Sequence, residues 1–136
     1  MLTDQEIYNK VRTHLLTQMK KSTVQLHNPF RTPCTYDVCV YRGEDGRKCA
    51  IGVLIPDELY TKDIEGSDIL AYRTLVLTEP LRKAGILPDN LDGKARCTRV
   101  SLLKELQVIH DNYEPYEWEA ELTKLAKEFR LKVESC

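Results

Sequence analysis

Helical periodicity runs through both ends of this chain and is interrupted by a single pattern that belongs to strands. That order constrains the fold more than any other feature of the sequence. Near the N terminus Ile7, Val11, Leu15 and Met19, flanked by Tyr8 and Leu16, recur at helical spacing. Toward the other end Leu102, Leu103, Leu106, Ile109 and Tyr113 form a second stripe, and Trp118, Leu122, Leu125, Ala126 and Phe129 a third. Between them Val38–Arg42 and Lys48–Ile51 flank Gly43-Glu44-Asp45-Gly46, whose Asp-Gly pair suits a tight turn between strands. Strands and helices do not alternate, so a parallel sheet of βαβ units is excluded. The order predicts an α+β, mostly α fold: an N-terminal amphipathic helix, one β-hairpin, then three to four packed helices.

The boundaries follow from local chemistry. Thr3-Asp4-Gln5-Glu6 is a capping box, and Lys20 and Lys21 suit the negative end of a helix dipole, which predicts a helix over 4–21. Residues 22–37 hold Asn28-Pro29 and Thr32-Pro33 without periodicity and read as a long loop, either a mobile functional segment or one that contains a short strand. The hairpin-like segment is expected over 38–51, although Cys49 to Ile55 also suits a short buried helix ending before Pro56. Pro56–Tyr60 reads as one helical turn. A helical part over 67–133 follows, punctuated by Pro80, Gly85, the Pro88–Gly93 loop and Pro115. At 136 residues and 15.7 kDa the chain fits one domain, 1–136, able to bury a core without a metal or disulfide.

Lys plus Arg number 20 and Asp plus Glu 21, a net charge of -1. A whole-surface nucleic-acid binder would be far more basic, so any such site must be a local patch. No apolar run is long enough for a bilayer, and the polar Met1–Glu6 start does not suit a secretory signal; the expectation is a cytoplasmic protein that does not enter membranes. Five cysteines, an odd number, point to reduced thiols.

Two kinds of candidate site emerge. Cys34, Cys39 and Cys49 lack the paired C-x2-C knuckles of structural zinc sites, so Cys39 and Cys49 are expected to be buried, with no metal and no cofactor. The sharper reading makes Cys49, behind Arg47 and Lys48, a nucleophile with His110 as base. Adjacent helical residues point about 100° apart, so Asp111 is not expected to orient His110. The structural alternative has His110 capping carbonyls at a helix end, worth roughly 1–2 kcal/mol, with Asp111 tying that helix to Arg42 or Lys48. Phosphate-cradling glycine motifs and H-E-x-x-H are absent. Among the basic residues Arg42, Arg47 and Lys48 surround the turn beside Tyr41, and Arg96, Arg99 and Lys104 cluster where a helix begins. A cation cluster there suggests an anionic ligand or nucleic acid.

The run Cys39-Val40-Tyr41-Arg42-Gly43-Glu44-Asp45-Gly46-Arg47-Lys48-Cys49-Ala50-Ile51-Gly52-Val53-Leu54-Ile55-Pro56-Asp57-Glu58-Leu59-Tyr60, followed by Glu65-Gly66, carries a resemblance. So does Leu103-Lys104-Glu105-Leu106-Gln107-Val108-Ile109-His110-Asp111 with Trp118 behind it. The chain resembles a family of small hypothetical proteins of bacteriophages and prophage-bearing bacteria, matching at Cys49, Gly52, Pro56, Asp57, Glu65, Gly66, His110 and Asp111. The resemblance implies a non-enzymatic binding protein in the host cytoplasm that inhibits a host or anti-phage defence factor. Examples are a CRISPR-Cas or other nuclease complex, or the sequestering of a signal nucleotide. The alternatives are a cysteine-dependent hydrolase or transferase using Cys49 and His110, and a minor nucleic-acid-associated phage protein. The partner is expected to be a protein complex, and a homo-oligomer is compatible with the sequence.

Overall fold

A computed structural model describes residues 1–65, 75–88 and 94–133, with the backbone alone at 75–76 and 94–97. Within them the fold is α+β and mostly α, as the order of patterns implies. Helix α1 spans Asp4–Gln18. The Thr3 hydroxyl accepts the Glu6 N–H, and the Glu6 carboxylate accepts the Thr3 N–H. The helix stops short of Lys20 and Lys21 because Met19 turns left-handed (φ 49°, ψ 29°) and donates its N–H to Leu15.

The hairpin falls earlier than the Asp-Gly turn suggests. Strands β1 (Thr23–His27) and β2 (Thr35–Cys39) pair antiparallel, with Thr23 opposite Cys39 and His27 opposite Thr35. Half of the expected 22–37 loop is therefore sheet. Its two prolines lie in the connection, where Thr32–Pro33 is cis and Asn28 closes the turn through its carbonyl and side chain. The 38–51 segment keeps only one bridge, Arg42 to Lys48, around Asp45 (φ 58°) and Gly46 (φ 71°). Beyond it the chain coils through single-turn 3-10 helices at Gly52–Leu54, Asp57–Leu59 and Lys62–Ile64. The expected helical turn after Pro56 is the second of these.

Helices α2 (Leu75–Lys83), α3 (Lys94–Asn112) and α4 (Pro115–Glu128) complete the order; the expected start of the helical part at 67 lies outside the described residues. Pro115 opens α4, where its missing N–H leaves no bond unmade. Helix α1 packs on α3 and α4, and the three stripes meet in one core that includes Ile7, Leu15, Leu103, Leu106, Trp118 and Leu122. The Tyr8 hydroxyl, deep in that core, donates to the Leu122 carbonyl at 2.8 Å. Among the described residues no helix is long and apolar enough to cross a membrane.

Candidate functional site

The hairpin is anchored at its base by the last turn of α3. His110 is fully buried and stacks on Trp118, with ring centroids 5.6 Å apart. Its Nε2 accepts the Ser22 N–H at 2.9 Å, where the chain enters β1. An N–H can only donate, so Nε2 carries a lone pair and Nδ1 carries the proton, which goes to Asp111 Oδ1 at 2.7 Å. Adjacent residues therefore do meet here, against expectation. Nδ1 lies close to its own backbone, and in the last helical turn a short carboxylate bends back to reach it. The same Oδ1 accepts from Gln107, whose own carbonyl oxygen accepts the Ile51 N–H. His110 thus does not cap carbonyls, and Asp111 does not reach Arg42 or Lys48.

Among the described residues the thiol beside this pair is that of Cys39, not Cys49. Cys39 Sγ and ligand atoms of His110 and Asp111 lie within 4.8 Å of one another. Cys39 and Asp111, but not His110, border a cavity of about 550 Å³ lined also by Lys20, Lys21, Asp37 and Arg47. Donor chemistry argues against a metal: the nitrogen facing the trio bears the proton, and the other is committed to Ser22. Burial and the Asp111 carboxylate push the Cys39 thiol up to about 11. Cys39 is half-buried rather than buried as expected.

Cys49 is wholly enclosed, accepts the Gly52 N–H at 3.3 Å, and is pushed by burial up to about 12. A thiol held neutral that far above physiological pH is a poor nucleophile. The base imagined for it has no free lone pair. Cys49 and His110 are both buried in the core, a setting that disfavours the nucleophile reading.

The basic candidates are largely spent on the protein itself. Arg42 donates to Asp57 at 2.5 Å and to the Ile55 carbonyl at 2.8 Å, while its guanidinium lies 4.5 Å above the Tyr60 ring. Lys48 shares Asp57, and its backbone is held by Gln18 and His14 of α1. Arg47 pairs with Asp45, and Tyr41 is buried. Arg99 points inward: it binds Asp4 at 2.6 Å and the carbonyls of Leu2 and Ile86, tying the N terminus to α3. Lys104 is exposed, and the Arg96 side chain lies outside the described residues. With Arg99 turned inward, the expected Arg96, Arg99 and Lys104 patch loses its centre.

The positions that carried the family resemblance have structural duties of the same kind. The Glu65 carboxylate collects the N–H groups of Tyr41 and Arg42 and the Tyr60 hydroxyl. Burial, and after it that acidic partner, raises the Tyr60 phenol to about 12. Gly52 lies against the Tyr41 carbonyl so closely that no Cβ fits. Gly66 lies outside the described residues.

What the sequence did not place is the pairing of two strands into an arm. Strands β1 and β2 pack chiefly on each other, and half of their residues, among them Gln25, Leu26 and His27, are exposed. At the tip Phe30 is 97% exposed, and Leu26 on β1 is 43% exposed. Arg31 lies 3.9 Å above the Tyr36 ring, which leaves one cationic and aromatic face beside Phe30. The alternation in Thr-Val-Gln-Leu-His and Thr-Tyr-Asp-Val-Cys was the signal that could have found the strands. No family model matches the chain, and no curated protein or solved structure is found similar to it.

Proposed function

We propose that the protein acts by binding another protein, with the tip of the hairpin arm as its recognition element. The observation that carries this reading is Phe30, a large apolar side chain almost fully in water at the end of a projecting hairpin. Burying such a ring is worth about 2 kcal/mol on its own, and aromatic and arginine side chains dominate binding energy at protein interfaces. Phe30 and Arg31 in the connection, with Tyr36 of β2 beneath the Arg31 guanidinium, supply that combination. The resemblance to small phage proteins makes a host or defence complex in the cytoplasm the class of partner, and inhibition of it the outcome. Catalysis by Cys49 is disfavoured by its burial, and recognition of nucleic acid by the inward course of Arg99.

The test is affinity capture from a host lysate with wild-type protein and with Phe30→Asp. The expected result is a defined partner retained by the wild type and lost at least tenfold with the variant, while the melting temperature stays the same. Equal retention by both proteins would overturn the reading.

A further inference from the structure

The hydrogen-bond parity of the arm shows which backbone groups it leaves open. Val40 donates to the Ser22 carbonyl, and Asn28 donates to the Cys34 carbonyl. These bonds mark the even-numbered residues of this strand pairing as those that bond across to β2, so Val24 and Leu26 do the same in the β1–β2 register. The N–H and C=O groups of Thr23, Gln25 and His27 therefore point out from the free edge of β1. At Thr23 that edge is closed, because Gly43 lies so near that a Cβ there would stand 2.6 Å from the Thr23 nitrogen. At Gln25 and His27 no backbone partner stands against it among the described residues. Neither a proline nor a lysine, the usual guards of a sheet edge, stands in β1.

We infer that this edge pairs with the β1 edge of a second copy, antiparallel about a two-fold axis at Leu26, making a four-stranded sheet from two arms. Outward residues can bond only to outward residues, so the register follows. Gln25 of each copy faces His27 of the other, and Leu26 faces Leu26 in the wide pair, where side chains approach most closely. One step further, Thr23 would face Pro29, which has no N–H to give. The ladder thus ends where Gly43 closes the edge. A register centred on Gln25 would instead require the blocked Thr23.

The same pairing places Tyr36, Leu26, Leu26 and Tyr36 in one row across the sheet, and Leu26 gains the cover it lacks in a single chain. A second copy is favoured over other strands by self-complementarity: β1 carries no carboxylate or ammonium group, so a two-fold contact opposes no like charges. β2 carries Asp37 on its outward positions and lacks that neutrality. Two-stranded hairpins are marginal in water, whereas four strands with a shared apolar face are not. This inference uses the same arm as the binding reading but a different part of it.

Sedimentation of the full chain at about 100 µM, above the micromolar range of weak interfaces, tests it. The expected mass is twice 15.7 kDa. Gln25→Pro removes only an outward N–H, and Leu26→Lys sets two ammonium groups face to face; each is expected to return the protein to the mass of one chain. Asp37→Pro, on the other edge, is expected to leave the dimer intact. Amide exchange at Gln25 and His27 is expected to slow as concentration rises. A wild-type chain that sediments singly, or a dimer that survives both β1 variants, overturns the inference. A monomeric Gln25→Pro that still captures its partner separates this result from the binding reading.

Discussion

Replacing His110 tests whether the arm is held by the hydrogen-bond chain at its base. His110→Ala removes three things at once. The buried Ser22 N–H loses its acceptor, which costs about 2 kcal/mol when a donor is left unsatisfied. The stack on Trp118 disappears, worth about 1 kcal/mol. The imidazole volume becomes a cavity between α3 and α4, which adds about 2 kcal/mol. The expected loss is thus about 4–5 kcal/mol, well above the roughly 1–2 kcal/mol of an exposed helix-end cap and a large share of a small domain's stability. His110→Phe keeps the ring and the stack but offers Ser22 nothing, so it is expected to lose about 2 kcal/mol. Urea unfolding followed by the single tryptophan, itself the stacking partner, reads both. With a slope near 1.5 kcal/mol per molar, the midpoint should fall by about 1 M for His110→Phe and about 3 M for His110→Ala. A His110→Phe midpoint equal to that of the wild type would refute the argument, because the Ser22 bond would then contribute nothing.

The buried thiols predict an alkaline limit. Folding raises the Cys49 thiol from 9.0 to about 12, so its contribution is fully present below pH 9 and is lost as pH climbs toward 12; Cys49→Ala should flatten that limb in a series of melting curves. In the native state a thiol reagent near pH 7 should label exposed Cys34 quickly and leave Cys49 unlabelled, and rapid labelling of Cys49 would contradict its enclosure. Gly52→Ala drives a methyl group into the Tyr41 carbonyl and should lower stability by about 2–3 kcal/mol on denaturant titration. Arg99→Ala strips donors from the Leu2 and Ile86 carbonyls and should lower stability by about 2–4 kcal/mol, with no change in retention on a nucleic-acid column.

The legible parts of the fold were those governed by local rules. The capping box at Thr3 closes as its residue types require, and the stripes of α1, α3 and α4 are the buried faces. The hairpin was displaced because two segments compete for it. Asp45-Gly46 has the better turn residues, but Gly52 seats itself on the Tyr41 carbonyl and pulls the chain into 3-10 turns after a single bridge. Asn28 closes the longer turn with its side chain, a device that prolines in the same stretch had obscured. The candidate residues fared differently for an electrostatic reason. Arg42 and Arg99 are conspicuous as charges, yet both find carboxylates and carbonyls across the fold, at separations of 15 and 95 residues for Asp57 and Asp4.

The sequence by itself determined the presence of α1, α3 and α4, the N-cap at Thr3 and the apolar faces that make one core, because those depend on neighbours three or four positions away. The tertiary structure alone decided what His110, Cys39, Arg99 and the arm do. Ser22 and His110 are 88 residues apart and meet only when α3 closes over the start of β1. A ring nitrogen's role is set by the donor placed against it, and an edge or a tip becomes exposed only by what the rest of the chain leaves uncovered. Neither property has a local signature.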